Sequence, residues 1–155
     1  MNITDLISPE RVTQRSDVAS KKKALELLGN LIADAEPAIT SRAIFDSLLG
    51  RERLGSTGLG HGVALPHGRL AGSDHAIGAV LKLEQGIDFD AMDQQPVDIM
   101  FALLVPEHFT DEHLKIIAYL AEMFDDKLFC EQLRAVTSDQ QLYEKLTSWQ
   151  PAAGL

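Results

Sequence analysis

Residues 97–105, closed by Pro106, are apolar at every position except Asp98. A strand that faces water on one side alternates apolar and polar residues, whereas one covered on both sides does not. The run therefore predicts a buried central strand, with further elements laid over it. Two shorter strands are expected at residues 63–65 and 76–83, with a turn at Gln85-Gly86 and a short connection at Asp88-Phe89-Asp90. Helical period appears at Ala24, Leu27, Leu28, Leu31 and Ile32, behind Ser20 as N-cap. A second helix is expected to start at Thr40 or Ser41, with Ile44, Phe45, Leu48 and Leu49 inward and Gly50 at its C-terminus. After the strand run, Thr110 or Asp111 would cap a helix with Leu114, Ile117, Ala118, Leu120 and Ala121 at helical period. Leu128, Leu133 and Val136 predict another, and Ser138 opens a last one with Leu142, Tyr143 and Leu146 inward. Helices come first, strands fill the middle and helices close the chain. That order predicts an α/β sandwich, one domain over residues 1–155, built on a mixed parallel and antiparallel sheet flanked by helices, with a frayed tail from about 151.

The length of 155 residues suits one domain. No apolar stretch reaches membrane-spanning length, the N-terminus lacks the marks of a signal peptide, and Cys130 is the only cysteine. A cytoplasmic protein without membrane insertion is the expectation. The net charge of -9 disfavours nucleic acid and fits a protein partner with a basic face. The triplet Lys21-Lys22-Lys23 reads as a solvated helix start.

The chemistry concentrates around Gly58-Leu59-Gly60-His61-Gly62-Val63-Ala64-Leu65-Pro66-His67-Gly68-Arg69. Pro66 cannot donate to a sheet ladder, so the short strand is expected to stop there and leave His67 at its end. Gly68 would leave the backbone beside the imidazole open to close approach. With Arg69 next in sequence, His67 is placed to meet an anion such as phosphate. Of the other histidines, His75 and His108 read as surface residues. His113 could meet His67 at one sheet edge, and its spacing leaves a functional and a structural role equally open. A neutral imidazole is nucleophilic near neutral pH and can take a phosphoryl group from another phosphohistidine. A second imidazole would hold the phosphoryl oxygens, and Arg51 or Arg69 would add paired donors. Ser56 and Thr57 are the competing acceptors. A zinc site from His61, His67 and His113 is an alternative whose spacing specifies no metal geometry. The glycines do not end in Gly-Lys-Ser/Thr, they precede rather than follow a strand, and the chain has neither a His-Glu-x-x-His nor a Cys-x-x-Cys pattern.

The stretch from Arg51 to Arg69 resembles the phosphorylation-site motif of the fructose/mannitol-type IIA proteins of the bacterial phosphotransferase system, most closely the nitrogen-regulatory branch. Asp93-Gln94-Gln95-Pro96-Val97-Asp98, running into the apolar strand, extends the likeness over nearly the whole chain. The resemblance implies a mixed sheet with helices on both faces. It implies His67 as the acceptor, carrying phosphate on Nε2, with His113 stabilising the phosphoryl group and Arg51 contacting phosphate or partner. It implies a donor of the HPr type (NPr), itself phosphorylated by an enzyme I, and regulatory targets in potassium transport or nitrogen control. The activity implied is that of a phosphocarrier rather than an independent turnover enzyme, with no cofactor and no metal. The alternative is a sugar-specific IIA component passing phosphate to a separate IIB/IIC transporter. His61 and His75 lie outside the family pattern, and His61, close in sequence to the acceptor, is either a surface residue or a second, weaker acceptor. Leu59, Val63 and Leu65, or their neighbours, are expected to form a partly apolar docking patch around His67.

Overall fold

A computed structural model describes residues 2–109 and 111–151. Its centre is β6 (Val97–Pro106), buried throughout except for the half-buried Asp98. On one side β5 (Ile77–Ile87) runs antiparallel to β6, and β1 (Val12–Arg15) lies parallel to β5. On the other side β3 (Val63–Ala64) and β4 (His67–Leu70) both run parallel to β6, and β2 (Gly58–Gly60) pairs antiparallel with β3. The helices are α1 (Lys21–Ala35), α2 (Ser41–Arg53), α3 (Asp111–Asp125), α4 (Lys127–Ala135) and α5 (Asp139–Ser148). Side chains of β6 divide between two cores. Ile99, Phe101, Leu103 and Val105 join Leu120, Phe124, Leu133 and Leu142 of α3, α4 and α5. Met100, Ala102 and Leu104 join Leu25, Leu28, Ile44 and Leu48 of α1 and α2. The α/β class, the mixed sheet and its cover of helices on both faces are as expected. Ser20, Thr40 and Ser138 accept backbone N–H bonds as N-caps. No helix among the described residues is long and apolar enough to cross a membrane.

Several local expectations give way to tertiary context. A strand, β1, precedes the helices; its four residues carry too little pattern to announce it. Pro66 interrupts the strand without ending it. Val63 pairs with Ile99 and His67 with Leu103, so β3 and β4 keep one register along β6, and the Pro66 carbonyl still accepts from the Leu103 N–H. His67 therefore opens a strand instead of a loop. Gln85-Gly86 is not a turn: β5 continues to Ile87 through an irregularity in register, and Gly86 lies where a Cβ would meet the Pro96 ring at 2.7 Å. The turn after the glycines is at His61-Gly62, where both residues have positive φ (56° and 81°), as a two-residue hairpin with the sheet's twist requires.

The helices differ in detail. Gly50 is exposed in the interior of α2, which runs on to Arg53. In α1, Leu25 and Gly29 are buried while Leu27 and Leu31 sit at the margin. The inner face of α3 is His113, Ile116, Leu120, Met123 and Phe124, leaving Leu114 and Ala118 exposed. Apolar residues wrap most of that helix, so periodicity alone could not choose its face. Leu128 is likewise exposed, with Phe129, Cys130 and Leu133 inward. Thr110, the proposed cap, and residues 152–155 of the tail lie outside the described residues.

Gly68 has a different role from the one expected. A Cβ there would stand 2.3 Å from Ser47 Oγ and 3.2 Å from the Ser47 carbonyl carbon. The missing side chain lets α2 press against β4, where Ser47 Oγ donates to the Arg69 carbonyl. Gly68→Ala should therefore cost about 1–3 kcal/mol through overpacking. Its urea unfolding midpoint should fall accordingly. Adding Ser47→Ala should restore only part, because the helix backbone remains too close.

Candidate functional site

His67 and His113 are brought together by two chain segments that share β6. His67 starts β4, beside Leu103 of β6. His113 lies in the first turn of α3, the helix that follows β6. Their ring centroids are 5.7 Å apart, with the planes inclined at 64°. The residue before a proline is confined to extended backbone. Leu65 thus presents its carbonyl toward the ring two residues on, and His67 Nδ1 lies 2.8 Å from that oxygen. A carbonyl only accepts, so Nδ1 carries the proton and Nε2 keeps its lone pair.

Burial favours the neutral form of both imidazoles. Burial pushes the His67 pKa below the ordinary value; the bond to the Leu65 carbonyl opposes the shift, and the Arg51 charge adds to it. Burial also pushes His113 down, helped by the charge of Arg69 and by His67, whose protonated ring would repel a second positive charge. His113 is buried, and among the described residues its Nδ1 has no hydrogen-bond partner. An imidazole nitrogen in that state has capacity for a further bond.

Arg51 sits in the last turn of α2, favourably for the helix dipole, and donates from Nη1 to the Gly55 carbonyl at 2.8 Å. The Arg51 charge acts on the His67 ring and that of the exposed Arg69 on the His113 ring. Sequence reasoning passed over the next residue, Glu52, whose side chain is completely buried. It accepts from the Thr57 N–H and from Thr57 Oγ1, and it pairs with Lys21 Nζ at 2.9 Å. Lys21 is thus more than a solvated residue at a helix start. Its ammonium also lies 4.6 Å from the Phe89 ring centre. The only sequence signal was an acid four residues after Leu48, in line with the inner face of the pattern. Thr57 Oγ1 is buried and engaged with Glu52, and Ser56 Oγ donates to the Phe89 carbonyl.

The remaining histidines stand apart. His61 lines a groove with Ala121, Glu122, Phe124 and Asp125. That position is roughly 12 Å along α3 from His113, so the three imidazoles of the zinc alternative are not gathered at one point. His61 serves the hairpin turn: its N–H donates to Asp93, and its carbonyl accepts from Arg134 at 2.6 Å. His75 is exposed beside Asp74, and His108 stacks edge-on against Phe109. Val63 and Leu65 are buried, so of the three residues expected to form a docking patch only Leu59 is exposed; Leu114, next in sequence to His113, is among the other exposed apolar side chains.

Two imidazoles thus meet from a strand start and a helix start, one of them with a fixed tautomer. Residues 5–149 match the family described as phosphoenolpyruvate-dependent sugar phosphotransferase system, EIIA 2, and the chain belongs to that family. A nitrogen regulatory protein of Pseudomonas aeruginosa is 41% identical over 93% of this chain and 94% of its own length. One from Klebsiella oxytoca is 40% identical over 95% of this chain and 91% of its own. The crystal structure of nitrogen regulatory protein IIA-Ntr from Neisseria meningitidis superposes with a TM-score of 0.84 at 40% identity, covering 93% and 97% of the two chains. Within the family, the chain falls in the nitrogen-regulatory, IIA-Ntr branch.

The neutral imidazoles make stability depend on pH with a definite sign. The folded protein holds His67 and His113 below the ordinary value of 6.5, so the unfolded chain takes up protons first as pH falls. Their contribution is fully present above that value and is lost on acidification below it. Unfolding midpoints should decline from about pH 7.5 to about pH 5.5, and His67→Gln with His113→Gln should flatten the decline.

Proposed function

We propose that the protein is a cytoplasmic phosphocarrier in which His67 Nε2 accepts a phosphoryl group from a phosphohistidine on an HPr-like carrier (NPr). The observation that carries this reading is the Nδ1–Leu65 bond, which leaves Nε2 as the only basic nitrogen of a neutral His67 ring. In the step, the Nε2 lone pair forms a bond to phosphorus while the donor's P–N bond breaks and its electron pair returns to the donor ring. The group passes as the equivalent of metaphosphate, PO3−, and each imidazole keeps the N–H it had. No general base is needed, and what remains to be supplied is positioning and charge compensation. His113, with unused hydrogen-bonding capacity at Nδ1, and Arg51 are the groups that would bind the phosphoryl oxygens.

The donor in turn receives its phosphate from an enzyme I, and the protein acts on regulatory targets of the potassium-transport or nitrogen-control kind. Phosphate at His67 adds close to two negative charges and three acceptor oxygens to this face. A target that covers this face when it is uncharged would have to bury an unpaired dianion after transfer. Unphosphorylated protein is thus the preferred form for at least one target, and the target competes with the carrier.

Incubated with phosphorylated carrier, His67→Ala should gain no phosphate by mass spectrometry, and the wild-type phosphate should be acid-labile and base-stable. His113→Ala should still be phosphorylated, but tens- to a thousandfold more slowly, as expected for one lost transition-state donor. Full stoichiometric phosphate on the His67→Ala variant would remove the assignment. A target that binds His67→Glu as tightly as His67→Ala would remove the regulatory half.

A further inference from the structure

Resting on the reading of His67 as acceptor, a second residue of the site can be assigned. A continuous hydrogen-bonded path runs from the buried carboxylate of Glu52 to the acceptor ring. Glu52 accepts from the Thr57 N–H and hydroxyl. The Thr57 carbonyl accepts from the Leu65 N–H at 3.0 Å. The Leu65 carbonyl accepts from His67 Nδ1–H at 2.8 Å. We propose that Glu52 is a positioning residue: through Thr57 and Leu65 it fixes the carbonyl that holds the His67 ring in its Nδ1–H tautomer, with Nε2 turned to the incoming phosphorus.

A purely structural role would be served by an apolar side chain at this place, since Glu52 is on the inner face of α2. A carboxylate there is costly unless its oxygens are bonded, and they are, by Thr57 and by Lys21 from the start of α1. Two helices thereby converge on one threonine. Thr57 borders the glycine-rich hairpin. Glu52 ties it to α2, and Ser56 donates to the Phe89 carbonyl in the connection between β5 and β6. Leu65 inherits the placement, and Pro66 transmits it by confining Leu65 to extended backbone.

The charge of Glu52 also suits the product. After transfer the ring keeps its Nδ1–H and bears phosphate on Nε2, so positive charge is shared over the imidazole on the side of the Leu65 carbonyl. Arg51 and Glu52 act on the ring in opposite senses: the arginine opposes positive charge on it and the glutamate favours it. Adjacent residues of one helix turn thus serve the two ends of a phosphohistidine, Arg51 the phosphate and Glu52 the ring.

Glu52→Gln, Thr57→Val and Thr57→Ser separate positioning from stability. The ring tautomers of the unphosphorylated proteins are read from long-range 1H–15N correlation spectra near neutral pH, with His113 as internal reference. Wild type and Thr57→Ser should show His67 as Nδ1–H. Glu52→Gln and Thr57→Val should show a mixture with Nε2–H, and their phosphoryl uptake from the carrier should fall roughly tenfold, the worth of about one hydrogen bond. Thr57→Ser, which keeps the hydroxyl, should transfer at the wild-type rate. Should Glu52→Gln fail to fold, the Thr57 pair carries the test. Folded variants that retain the Nδ1–H tautomer and the wild-type rate would overturn the proposal. The tautomer readout needs no phosphate. If wild type itself takes up none, the phosphocarrier reading fails, while the path to His67 is still judged by the spectra.

Discussion

A strand apolar on both faces can exist only between two layers, and β6 imposes that requirement on the rest of the molecule. Its odd-numbered side chains from Ile99 to Val105 are solvated by α3, α4 and α5, and its even-numbered ones by α1 and α2. Both edges of β6 are then available for pairing, and both are used. One holds the long antiparallel β5. The other holds the broken pair β3 and β4 in a single register. Because that register survives Pro66, His67 falls opposite Leu103, near the end of β6. The helix that leaves β6 brings His113 to the same end. The site is thus a consequence of where one buried strand stops.

Polar groups placed against this apolar frame specify how its layers join. Asp98 is the one polar residue of β6, and Arg134 of α4 grips it through Nε and Nη2 at 2.9–3.1 Å. The same guanidinium reaches the His61 carbonyl and so ties the β2–β3 hairpin to α4. Lys82, buried in β5, donates to the Arg134 and Val136 carbonyls at the end of that helix. On the opposite face, Glu52 joins α1, α2 and the glycine-rich segment. Each group has partners, as burial demands. Together they join the sheet and its β2–β3 hairpin to the helices on both faces. The chain is acidic overall, and the Arg51 and Arg69 charges act on the two imidazoles.

Much of this was legible in the sequence. The Val97–Pro106 strand, three N-caps and the glycine frame of His67 are local signals, set by side-chain pattern and backbone chemistry within a few residues. What misled was local evidence that tertiary context overrules. Gln85-Gly86 has turn composition, yet Gly86 is small because Pro96 packs on it. Leu114 and Ala118 fit a helical period, yet α3 turns His113 inward, because the neighbouring apolar positions let the helix rotate at little cost. Gly50 resembles a helix stop and lies within a helix whose last turn carries Arg51 and Glu52.

The sequence by itself determined that a buried strand would organise an α/β sandwich and singled out His67 as the candidate acceptor, because burial pattern, proline geometry and glycine freedom act over short distances. Only the tertiary structure decided which nitrogen of His67 is free, how near His113 lies, and that Glu52 stands behind the ring. Each of those depends on groups far apart in the chain meeting within a few ångströms. Hydrogen-bond direction, desolvation and charge at such meetings follow from the packing of layers, which no local pattern encodes.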